Sequence, residues 1–398
     1  MAYGVPAIND TTSNISESDS DDIFEITEDE FNNRNLVIGS PVPAAGEIEK
    51  DPIYIDDDLG IYEELDDLVQ VESDDDHQIC IGRNNQKISW GFCVDQGMRK
   101  YMEDRIVTFP SFMSLRCDSF GGCTAPHCRF ASEVTPIHYF AVFDGHGGSQ
   151  TMTIIIQELL PHRLLPPASS TSVSDHCADS LHEEVKKAWE SEDCTNEWNK
   201  RWQSALSRAY DSADKACEEE TGVGSTALVV LVSACQIVAA NCGDSRAILC
   251  RGSQIIPLSE DHRPDREDEE QRIAKSGGRV LADLWGVLRV DGVLAMSRAI
   301  GDKSLKPSVS SVPELTFTTR SEEDECIIIA SDGLWDVVST ECVGNLACEL
   351  LQHERQSAHF GESPTQYVAE CLFKEACSRS SSDNFSVIVV DLKPARRN

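Results

Sequence analysis

Acidic residues at the ends of strand-like apolar runs constrain this chain more than any other feature. Four aspartates stand at the ends of runs typical of buried β-strands, namely Asp144, Asp244, Asp332 and Asp383. Carboxylates that converge at strand ends suit hard cations such as Mg²⁺ and Mn²⁺, which prefer oxygen ligands. Gly145 follows Asp144, and a glycine lets its backbone carbonyl approach an ion as well. The pattern therefore predicts a metal site at the ends of strands.

A simpler interpretation of the same residues is turn formation. Asp-Gly pairs are ordinary turn residues, and any one pair alone would more often form a turn than bind a metal. Four acids at strand ends, together with the adjacent pair Glu103 and Asp104, are harder to explain by turns. We therefore interpret these acids as one metal site.

From Ile88 onward, short apolar runs alternate with longer helical patterns. The runs that predict β-strands are 89–94, 138–143, 227–232, 237–241, 247–251, 325–331 and 385–392. The patterns that predict helices are 151–165, 181–218, 266–275, 340–353 and 364–377. The stretch 166–175, rich in Pro and Ser, is expected to be a loop between two helices. Paired strands with helices between them predict a layered α+β domain.

Negative charge is concentrated at the start of the chain. Residues 1–80 contain 23 Asp and Glu but only two basic residues, a net charge of −21 out of −35 for the whole chain. A chain this acidic repels nucleic-acid phosphates and anionic lipids, so we expect neither nucleic-acid nor membrane binding. We predict a mostly disordered segment over 1–85, a folded catalytic domain over 86–393 and a short basic tail over 394–398.

The chain has sixteen cysteines. In a long chain with no secretory signal at its start, cysteines are more often buried small residues than disulfides, because the cytosol keeps thiols reduced. The densest group is Cys117, Cys123 and Cys128, with His127 and His138 nearby. Three thiols and an imidazole can bind zinc, but this spacing matches no standard zinc motif. A loop with incidental cysteines is therefore the expected structure.

Seven short motifs follow one another along the chain. They are Arg99-Lys-Tyr-Met-Glu-Asp104, Val142-Phe-Asp-Gly-His-Gly-Gly148, Gly224-Ser-Thr-Ala227, Asn241-Cys-Gly-Asp-Ser-Arg246, Ala295-Met-Ser-Arg-Ala-Ile-Gly-Asp302, Ala330-Ser-Asp-Gly-Leu-Trp-Asp336 and Asp383-Asn384. In content and order they resemble the protein phosphatase 2C family, over roughly residues 88–393. The resemblance implies a β-sandwich of two antiparallel sheets flanked by helices, in four α-β-β-α layers. It also implies two Mg²⁺ or Mn²⁺ ions per subunit, with a third ion bound more weakly.

The resemblance implies a role for individual residues as well. Asp144 would bridge both ions, and the carbonyl of Gly145 would bind one of them. Asp332 and Asp383 would bind the other ion. The remaining acids would act less directly, Glu103 and Asp104 through metal-bound waters, and Asp244 and Asp302 on the third ion.

The implied mechanism is direct hydrolysis of phosphoserine and phosphothreonine. Two cations about 3.5–4 Å apart lower the pKa of a shared water, which can then attack phosphorus in line with the leaving group. Arg99 can hold the phosphoryl oxygens, and His146 can protonate the leaving oxygen. A lone arginine is usually a surface charge, and a histidine in a glycine-rich turn is usually only polar. The motifs around both residues favour the catalytic roles.

Two other functions are compatible with parts of the sequence. Cys93 and Arg99 have the Cys-x5-Arg spacing of cysteine-nucleophile phosphatases. That chemistry needs a phosphate-binding loop at a helix start, whereas Cys93 lies inside a strand-like run. A phosphatase-like module that only binds partners would be expected to lose its metal acids, and Asp144, Asp332 and Asp383 are all present. Metal-dependent hydrolysis is therefore favoured over both.

Within the family, the stretches 261–269 and 292–307 are most similar to the plant phosphatases of abscisic acid signalling. That similarity implies a monomer in the nucleus and cytoplasm that dephosphorylates protein kinases and is inhibited by a hormone-bound abscisic acid receptor. The alternative is a phosphatase of another plant pathway without receptor control.

Trp285 is the candidate receptor contact. In the abscisic acid group, a tryptophan seven residues before the Gly of a Gly-Val-Leu-Ala-Met-Ser-Arg motif inserts into the receptor, and Trp285 stands seven residues before Gly292. An exposed tryptophan is a natural interface anchor, although Trp285 could instead be a core residue. Two departures lie nearby, since Asp291 replaces a bulky apolar residue and the stretch 277–285 is two residues longer than expected.

Overall fold

The computed structural model describes residues 37–39, 80–83, 87–125, 131–147, 173–191, 197–217, 222–356 and 363–393. The predicted helix 151–165, the residue Cys128 and residues 166–172 of the predicted loop lie outside the described residues. Among the helices that are described, none is both long and apolar enough to cross a lipid bilayer. The predicted limits of the folded domain, 86 and 393, stay a prediction.

The strands and helices are numbered in chain order. The strands are β1 (Val37–Gly39), β2 (Ser89–Asp95), β3 (Arg105–Arg116), β4 (Val134–Phe143), β5 (Gly145–His146), β6 (Gly224–Ser225), β7 (Ala227–Val232), β8 (Gln236–Cys242), β9 (Arg246–Arg251), β10 (Gln254–Pro257), β11 (Val280–Ala282), β12 (Leu288–Val290), β13 (Ile300–Gly301), β14 (Glu314–Thr319), β15 (Asp324–Ala330) and β16 (Phe385–Asp391). The helices are α1 (Cys117–Phe120), α2 (Val173–Ser191), α3 (Trp198–Ala216), α4 (Glu267–Lys275), α5 (Asp332–Trp335), α6 (Thr340–Gln356) and α7 (Pro364–Ser378). Short 3₁₀ helices lie at Ile81–Arg83 and Lys303–Leu305.

Two antiparallel sheets form the framework. In the first sheet the strand order is β1-β2-β16-β15-β9-β10, and in the second it is β14-β8-β7-β4-β3. Ile329 pairs with Ile388 between β15 and β16, and Val230 pairs with Ala239 between β7 and β8. Two further sheets are small, with the strand orders β11-β12 and β13-β6-β5.

The two large sheets pack face to face. Alternate residues of a strand point to the same side, so each apolar strand contributes every second side chain to the interface. The buried cluster between the sheets includes Ile327, Ile329, Ile388 and Val390 from the first sheet and Phe140, Val142, Leu228 and Val230 from the second. The rings of Trp90 and Phe140 lie 6.2 Å apart across this interface.

Helices cover the outer faces of both sheets. Helices α2 and α3 lie on the second sheet, where the hydroxyl of Tyr210 is 2.8 Å from the carbonyl oxygen of Ala240. Helices α6 and α7 lie on the first sheet, and a side chain at Gly91 in β2 would collide with the backbone of Gln366 at the start of α7. The predicted four-layer α-β-β-α sandwich is confirmed.

Several elements differ from the prediction. The predicted helix 181–218 is two helices, because Glu197 is extended and α2 and α3 pack side by side, with Trp189 stacked on Trp202 at 3.9 Å. Helix α2 begins at Val173, so residues 173–175 are helical and do not belong to the predicted loop. Strand β3 was not predicted, because it is an edge strand with Pro110 and a register shift, and Met113 is its one buried residue.

The segment from α4 to Ser310 contains its own network of charged side chains. The buried carboxylate of Glu269 accepts hydrogen bonds from Arg298 at 2.7 Å, Arg272 at 2.9 Å and the hydroxyl of Ser297 at 2.5 Å. Burial would raise the pKa of Glu269, but these hydrogen bonds lower it to about 2. The segment therefore depends on a charged carboxylate held between two guanidinium groups.

We expect Glu269→Gln to lower the free energy of unfolding by about 3 kcal/mol at pH 7, because two partly buried arginines lose their charged partner. The pKa of Glu269 lies at about 2 in the fold, below the ordinary value of 4.5, so its stabilising effect is complete only above pH 4.5 and is lost as the pH falls toward 2. In urea titrations the difference from wild type should shrink below pH 4.5. Glu267→Gln, an exposed change in the same helix, is the control. A pH-independent difference would contradict this assignment.

Candidate metal centre

The sandwich brings the predicted acids to one end. Asp144 follows β4 directly, and Asp244 lies two residues after β8, both in the second sheet. Asp332 opens α5 after β15, and Asp383 lies two residues before β16, both in the first sheet. Because β15 and β16 are antiparallel neighbours, the end of one and the start of the other lie at the same edge. The two facing sheets therefore supply the carboxylates of one centre.

The backbone around Asp144 is fixed by β-pairing and hydroxyl groups. The amide of Asp144 donates to Oγ1 of Thr226 at 2.9 Å, and the amide of Thr226 donates back to the carbonyl of Asp144 at 2.9 Å. The next residue, Gly145, pairs with Ser225. Oγ1 of Thr226 also lies 2.8 Å from Oγ of Ser245, which follows Asp244. Two predicted ligands are thus tied together through hydroxyls.

The carboxylates repel one another strongly. Burial raises the pKa of Asp144 well above its ordinary value, and the negative charges of Asp104, Asp332 and Asp244 raise it further. The pKa of Asp332 is raised in the same way, by burial and then by Asp244 and Asp383. Asp144 and Asp332 also lie within hydrogen-bonding reach of each other. The centre thus carries more negative charge than the surrounding side chains offset.

Two further acids have oxygen atoms without hydrogen-bond partners. Burial raises the pKa of Asp104 and of Asp244 to about 6. Oδ2 of Asp104 accepts a hydrogen bond from Ser331 at 2.7 Å, but Oδ1 of Asp104 and Oδ1 of Asp244 are buried with no partner in the described part of the chain. Buried carboxylate oxygens without donors are suited to cations. The all-oxygen donor set fits Mg²⁺ or Mn²⁺.

Asn384 fixes the loop that carries Arg99 and Glu103. Its Oδ1 accepts a hydrogen bond from the amide of Glu103 at 2.7 Å, and its Nδ2 donates to the carbonyls of Gln96 at 2.8 Å and Tyr101 at 2.9 Å. Burial raises the pKa of Glu103. One side chain next to Asp383 therefore positions Glu103 beside the acids.

The two predicted catalytic residues lie at the edges of this cluster. Nη2 of Arg99 is 2.5 Å from Oδ2 of Asp383, yet its side chain is 57% exposed, so the guanidinium can reach an entering anion. Nε2 of His146 is 2.7 Å from Oδ2 of Asp302. Burial would lower the pKa of His146, but Asp302 and the nearby acids raise it. Gly224 faces this pair, and any side chain there would collide with both residues.

Asp302 is positioned by its backbone. It adopts the left-handed conformation with φ 49°, and its amide donates to the carbonyl of Val223 at 2.8 Å. Its carboxylate therefore contacts His146. The prediction of Asp302 as a ligand of a third ion did not include this contact. The predicted ligand roles of Asp302 and Asp244 stay predictions.

The cysteine-nucleophile alternative is wrong. Cys93 is buried inside β2, and burial raises the pKa of its thiol. Residues 96–99 form a turn rather than the start of a helix, so no set of helical amides faces the sulfur. The match to Cys-x5-Arg is accidental.

Several residues that hold the centre were given no role by sequence reasoning. Asn384, Ser331 and Thr226 all lie inside the motifs, so their positions were visible, but a motif does not state which side chain bonds which backbone. Ser331 bridges the sheets locally, because it donates to Asp104 and accepts from the amide of Ser386 at 3.2 Å. These residues position the acids.

Trp285 lies on the surface, at the tip of the β11-β12 hairpin. Its side chain is 86% exposed and that of Leu284 is 96% exposed, so Trp285 is not a core residue. Oδ1 of Asp283 accepts hydrogen bonds from the amides of Trp285 and Val287, both at 2.9 Å. Gly286 supplies the positive φ of 86° that the tip needs. Two large apolar side chains are thus presented on a hydrogen-bonded turn.

Asp291 and the longer stretch 277–285 belong to the same hairpin. Oδ1 of Asp291 accepts a hydrogen bond from the amide of Arg279 at 2.9 Å, and the amide of Asp291 donates to the carbonyl of Arg279 at 2.7 Å. The carboxylate that departs from the expected apolar residue therefore closes the base of the hairpin.

The chain is similar to known phosphatases. The family model described as "Protein phosphatase 2C" matches residues 89–385. The chain is 41% identical over 322 residues to "Probable protein phosphatase 2C 6" of Oryza sativa subsp. japonica, covering 77% of this chain and 67% of that protein. It is 39% identical over 332 residues to "Protein phosphatase 2C 56" of Arabidopsis thaliana, covering 77% and 69%. The solved structure of serine-threonine phosphatase 2C from Toxoplasma gondii shares the fold at 22% identity, with a TM-score of 0.51 and coverage of 76% of this chain and 94% of that chain.

We expect Asp144→Asn to raise the melting temperature in EDTA by about 2–4 °C, the shift produced by about 1 kcal/mol in a domain of this size, because it removes one of several mutually repelling charges. The same change should remove the increase in melting temperature that Mg²⁺ or Mn²⁺ gives the wild type. Differential scanning fluorimetry measures both. Asp179→Asn, an exposed acid on α2, should change neither. An equal metal-induced increase in Asp144→Asn would exclude this carboxylate as a ligand.

Proposed function

The chain belongs to the protein phosphatase 2C family and is a serine/threonine protein phosphatase, and we propose that the acids at the sheet ends hold the cations its reaction needs. The family is metal-dependent and generally uses Mg²⁺ or Mn²⁺. The observation that carries the proposal is the convergence of Asp144, Asp332, Asp104 and Asp244, where burial and then the charges of the neighbouring acids raise the pKa of Asp144 well above its usual range. Such a cluster is stable when cations neutralise it.

We assign two ions to this cluster. Asp144 and the carbonyl of Gly145 would hold one ion, and Asp144, Asp332 and Asp383 would hold the other. When bound, the ions would lower the pKa of a water and offset the charge of the phosphoryl group. Glu103 and Asp104 would accept hydrogen bonds from waters at the site, and Asp244 would serve a third, weaker ion. The buried, unpartnered oxygens of Asp104 and Asp244 support these last roles.

The chain itself would bind the phosphate and move the proton. Arg99 would leave Asp383, 2.5 Å away, to donate to two phosphoryl oxygens of the substrate. Asp302 holds Nε2 of His146, which leaves Nδ1, buried and unpartnered within the described residues, to donate a proton to the leaving serine or threonine oxygen. Arg99 therefore orients the phosphoryl group, and His146 acts as the general acid.

We expect His146→Ala to lower kcat about 10²–10⁴-fold on a phosphothreonine peptide, because the alkoxide then leaves without a proton. On an aryl phosphate, whose phenolate needs little protonation, the loss should be less than about tenfold. Steady-state kinetics with Mn²⁺ on both substrates measures the ratio. Equal losses on the two substrates would assign His146 a structural role.

The same assays test the reaction class. Asp144→Ala and EDTA should abolish activity on both substrates, and Cys93→Ser should leave it unchanged. A folded wild-type protein that is inactive with Mn²⁺ would favour a phosphatase-like binding module. Loss of activity in Cys93→Ser alone would favour a covalent mechanism.

We further propose that the protein is a negative regulator of abscisic acid signalling that dephosphorylates protein kinases in the nucleus and cytoplasm. The motifs of residues 261–269 and 292–307 support this pathway. The similarity to phosphatases from rice and Arabidopsis supports a plant context. A hormone-bound receptor would inhibit the enzyme by docking on the β11-β12 hairpin and covering the metal centre.

The hairpin supports receptor binding through its shape and its chemistry. Trp285 and Leu284 form an exposed apolar pair, and aromatic anchors of this kind dominate many interfaces. The bonds from Asp283 to the amides of Trp285 and Val287 hold the tip in one conformation before binding. A preformed tip loses little conformational entropy when a partner docks.

We expect Trp285→Ala to weaken a hormone-dependent complex with an abscisic acid receptor by about 2 kcal/mol or more, roughly 30-fold in Kd, because a central aromatic anchor is lost. Isothermal titration calorimetry with and without hormone measures the effect, and peptide hydrolysis without receptor should be unchanged. Val134→Ala is the matched control, since Val134 is 66% exposed at the end of β4 far from Asp144. Absence of a hormone-dependent complex with wild type would indicate a pathway without receptor control.

A further inference from the structure

Four cysteines from distant parts of the chain meet at one point. Their sulfur atoms all lie within 4.8 Å of one another, and the residues are Cys80, Cys117, Cys123 and Cys235. Cys80 precedes the 3₁₀ helix Ile81–Arg83, Cys117 opens α1, Cys123 lies in the loop after α1, and Cys235 lies in the turn between β7 and β8. Four separate pieces of backbone thus direct a thiol to the same place. We infer that these cysteines bind one structural Zn²⁺ ion.

The sulfur geometry favours a metal over disulfides. Sγ of Cys235 lies 3.1 Å from Sγ of Cys80 and 3.4 Å from Sγ of Cys117, both well beyond a sulfur–sulfur bond of about 2.05 Å. Cys235 is close to two partners at once, whereas a disulfide joins one pair. Three of the four residues are buried and Cys123 is half-buried, so the set is enclosed. A closed set of four thiols is the usual ligand set of structural zinc.

Backbone groups surround the sulfur of Cys235. The backbone of Thr124 and of Gly82 lies within hydrogen-bonding reach of this sulfur. A side chain at Gly82 would lie 3.0 Å from Sγ of Cys235 and 3.2 Å from Sγ of Cys80, so glycine leaves the backbone close to both sulfurs. Amide groups directed at thiolates are a common feature of such metal sites.

A buried cation offsets the remaining charge. Four thiolates and Zn²⁺ together carry two negative charges. Arg320 is only 3% exposed, its amide donates to the carbonyl of Cys235 at 2.9 Å, and its guanidinium donates to the carbonyl of Ser233 at 3.1 Å. Burial lowers the pKa of Arg320 to about 10, and the charges of Asp324 and then of Cys235 act in the opposite direction. The guanidinium therefore lies where it can neutralise part of a thiolate site.

The site lies at the end of the second sheet opposite the acids. Strand β7 begins at Ala227, beside Thr226 and Asp144, and Cys235 lies in the turn after its last residue. Strand β3 begins next to Asp104 and ends next to Cys117. Six strand residues span about 20 Å, so this zinc would take no part in hydrolysis. It would anchor Cys80, and with it the end of the acidic segment, to the sheet.

The sequence had suggested a different set of ligands. The group considered there, Cys117, Cys123 and Cys128 with His127 and His138 nearby, shares two members with the cluster. His138 is not part of it, because its Nδ1 accepts a hydrogen bond from the amide of Ser111 at 3.3 Å. Cys128 lies outside the described residues. The default expectation of incidental cysteines in a loop did not anticipate the convergence of four sulfurs.

The test is the metal content of the full-length protein. After dialysis against EDTA, which removes carboxylate-bound Mg²⁺ and Mn²⁺, inductively coupled plasma mass spectrometry should find one zinc per chain. Cys117→Ser and Cys235→Ser should lose it, and Cys117→His, which keeps a zinc ligand, should retain it. Cys348→Ser is the matched control, because it removes a thiol from the separate group Cys250, Cys326 and Cys348.

A wild-type measurement guards against variants that fail to fold. Titration with a mercurial thiol reagent in the presence of a zinc indicator should release one zinc per chain. Growth with Co²⁺ should give a thiolate-to-metal charge-transfer band that Cys235→Ser lacks. Wild type without zinc, zinc lost in Cys348→Ser but kept in Cys235→Ser, iron in place of zinc, or an intact mass 2 Da lower from a Cys80–Cys235 disulfide would each overturn the proposal.

Discussion

Repulsion between buried carboxylates is the constraint on which the rest of the structure depends. Burial raises the pKa of Asp144 and of Asp332, and the charges of Asp104 and Asp244 raise both further, so the free chain would separate these acids. The fold prevents this by placing the acids at the ends of strands whose registers are set by many apolar pairs between two sheets. Hydroxyl groups and one side-chain amide, all from residues of the motifs, also hold the acids in position. The packing of the two sheets thus provides the stability that keeps the repelling carboxylates close together.

Much of the fold could be predicted because its core strands are apolar at nearly every position. Strand β7 has the predicted bounds, and β16 differs by one residue, since both are buried on two faces. Strand β3 could not be predicted, because an edge strand with a proline and a register shift has no clear period. The break near Glu197 could not be recognised in the pattern of residues 181–218, because the helices before and after it, α2 and α3, are both amphipathic.

The centre was predictable in its residue types but not in its contacts. Acids at strand ends reveal the ligands, since their chemistry is local to each motif. The bonds of Asn384 to Gln96, Tyr101 and Glu103 join segments about 280 residues apart, and no spacing rule reports them. The same reason explains the cysteine cluster, because Cys80 and Cys235 are separated by 155 positions and meet only in three dimensions.

In the hairpin that carries Trp285, the residues that set the backbone conformation are different from the residues exposed at the tip. Asp283 and Gly286 fix the turn through backbone hydrogen bonds and a positive φ, and neither depends on the side chains at 284 and 285. Those two positions can therefore change in evolution while the turn keeps its geometry. A gene duplicate could acquire a new partner by substitution at the tip alone, and the hydrolytic centre would be under no pressure to change with it.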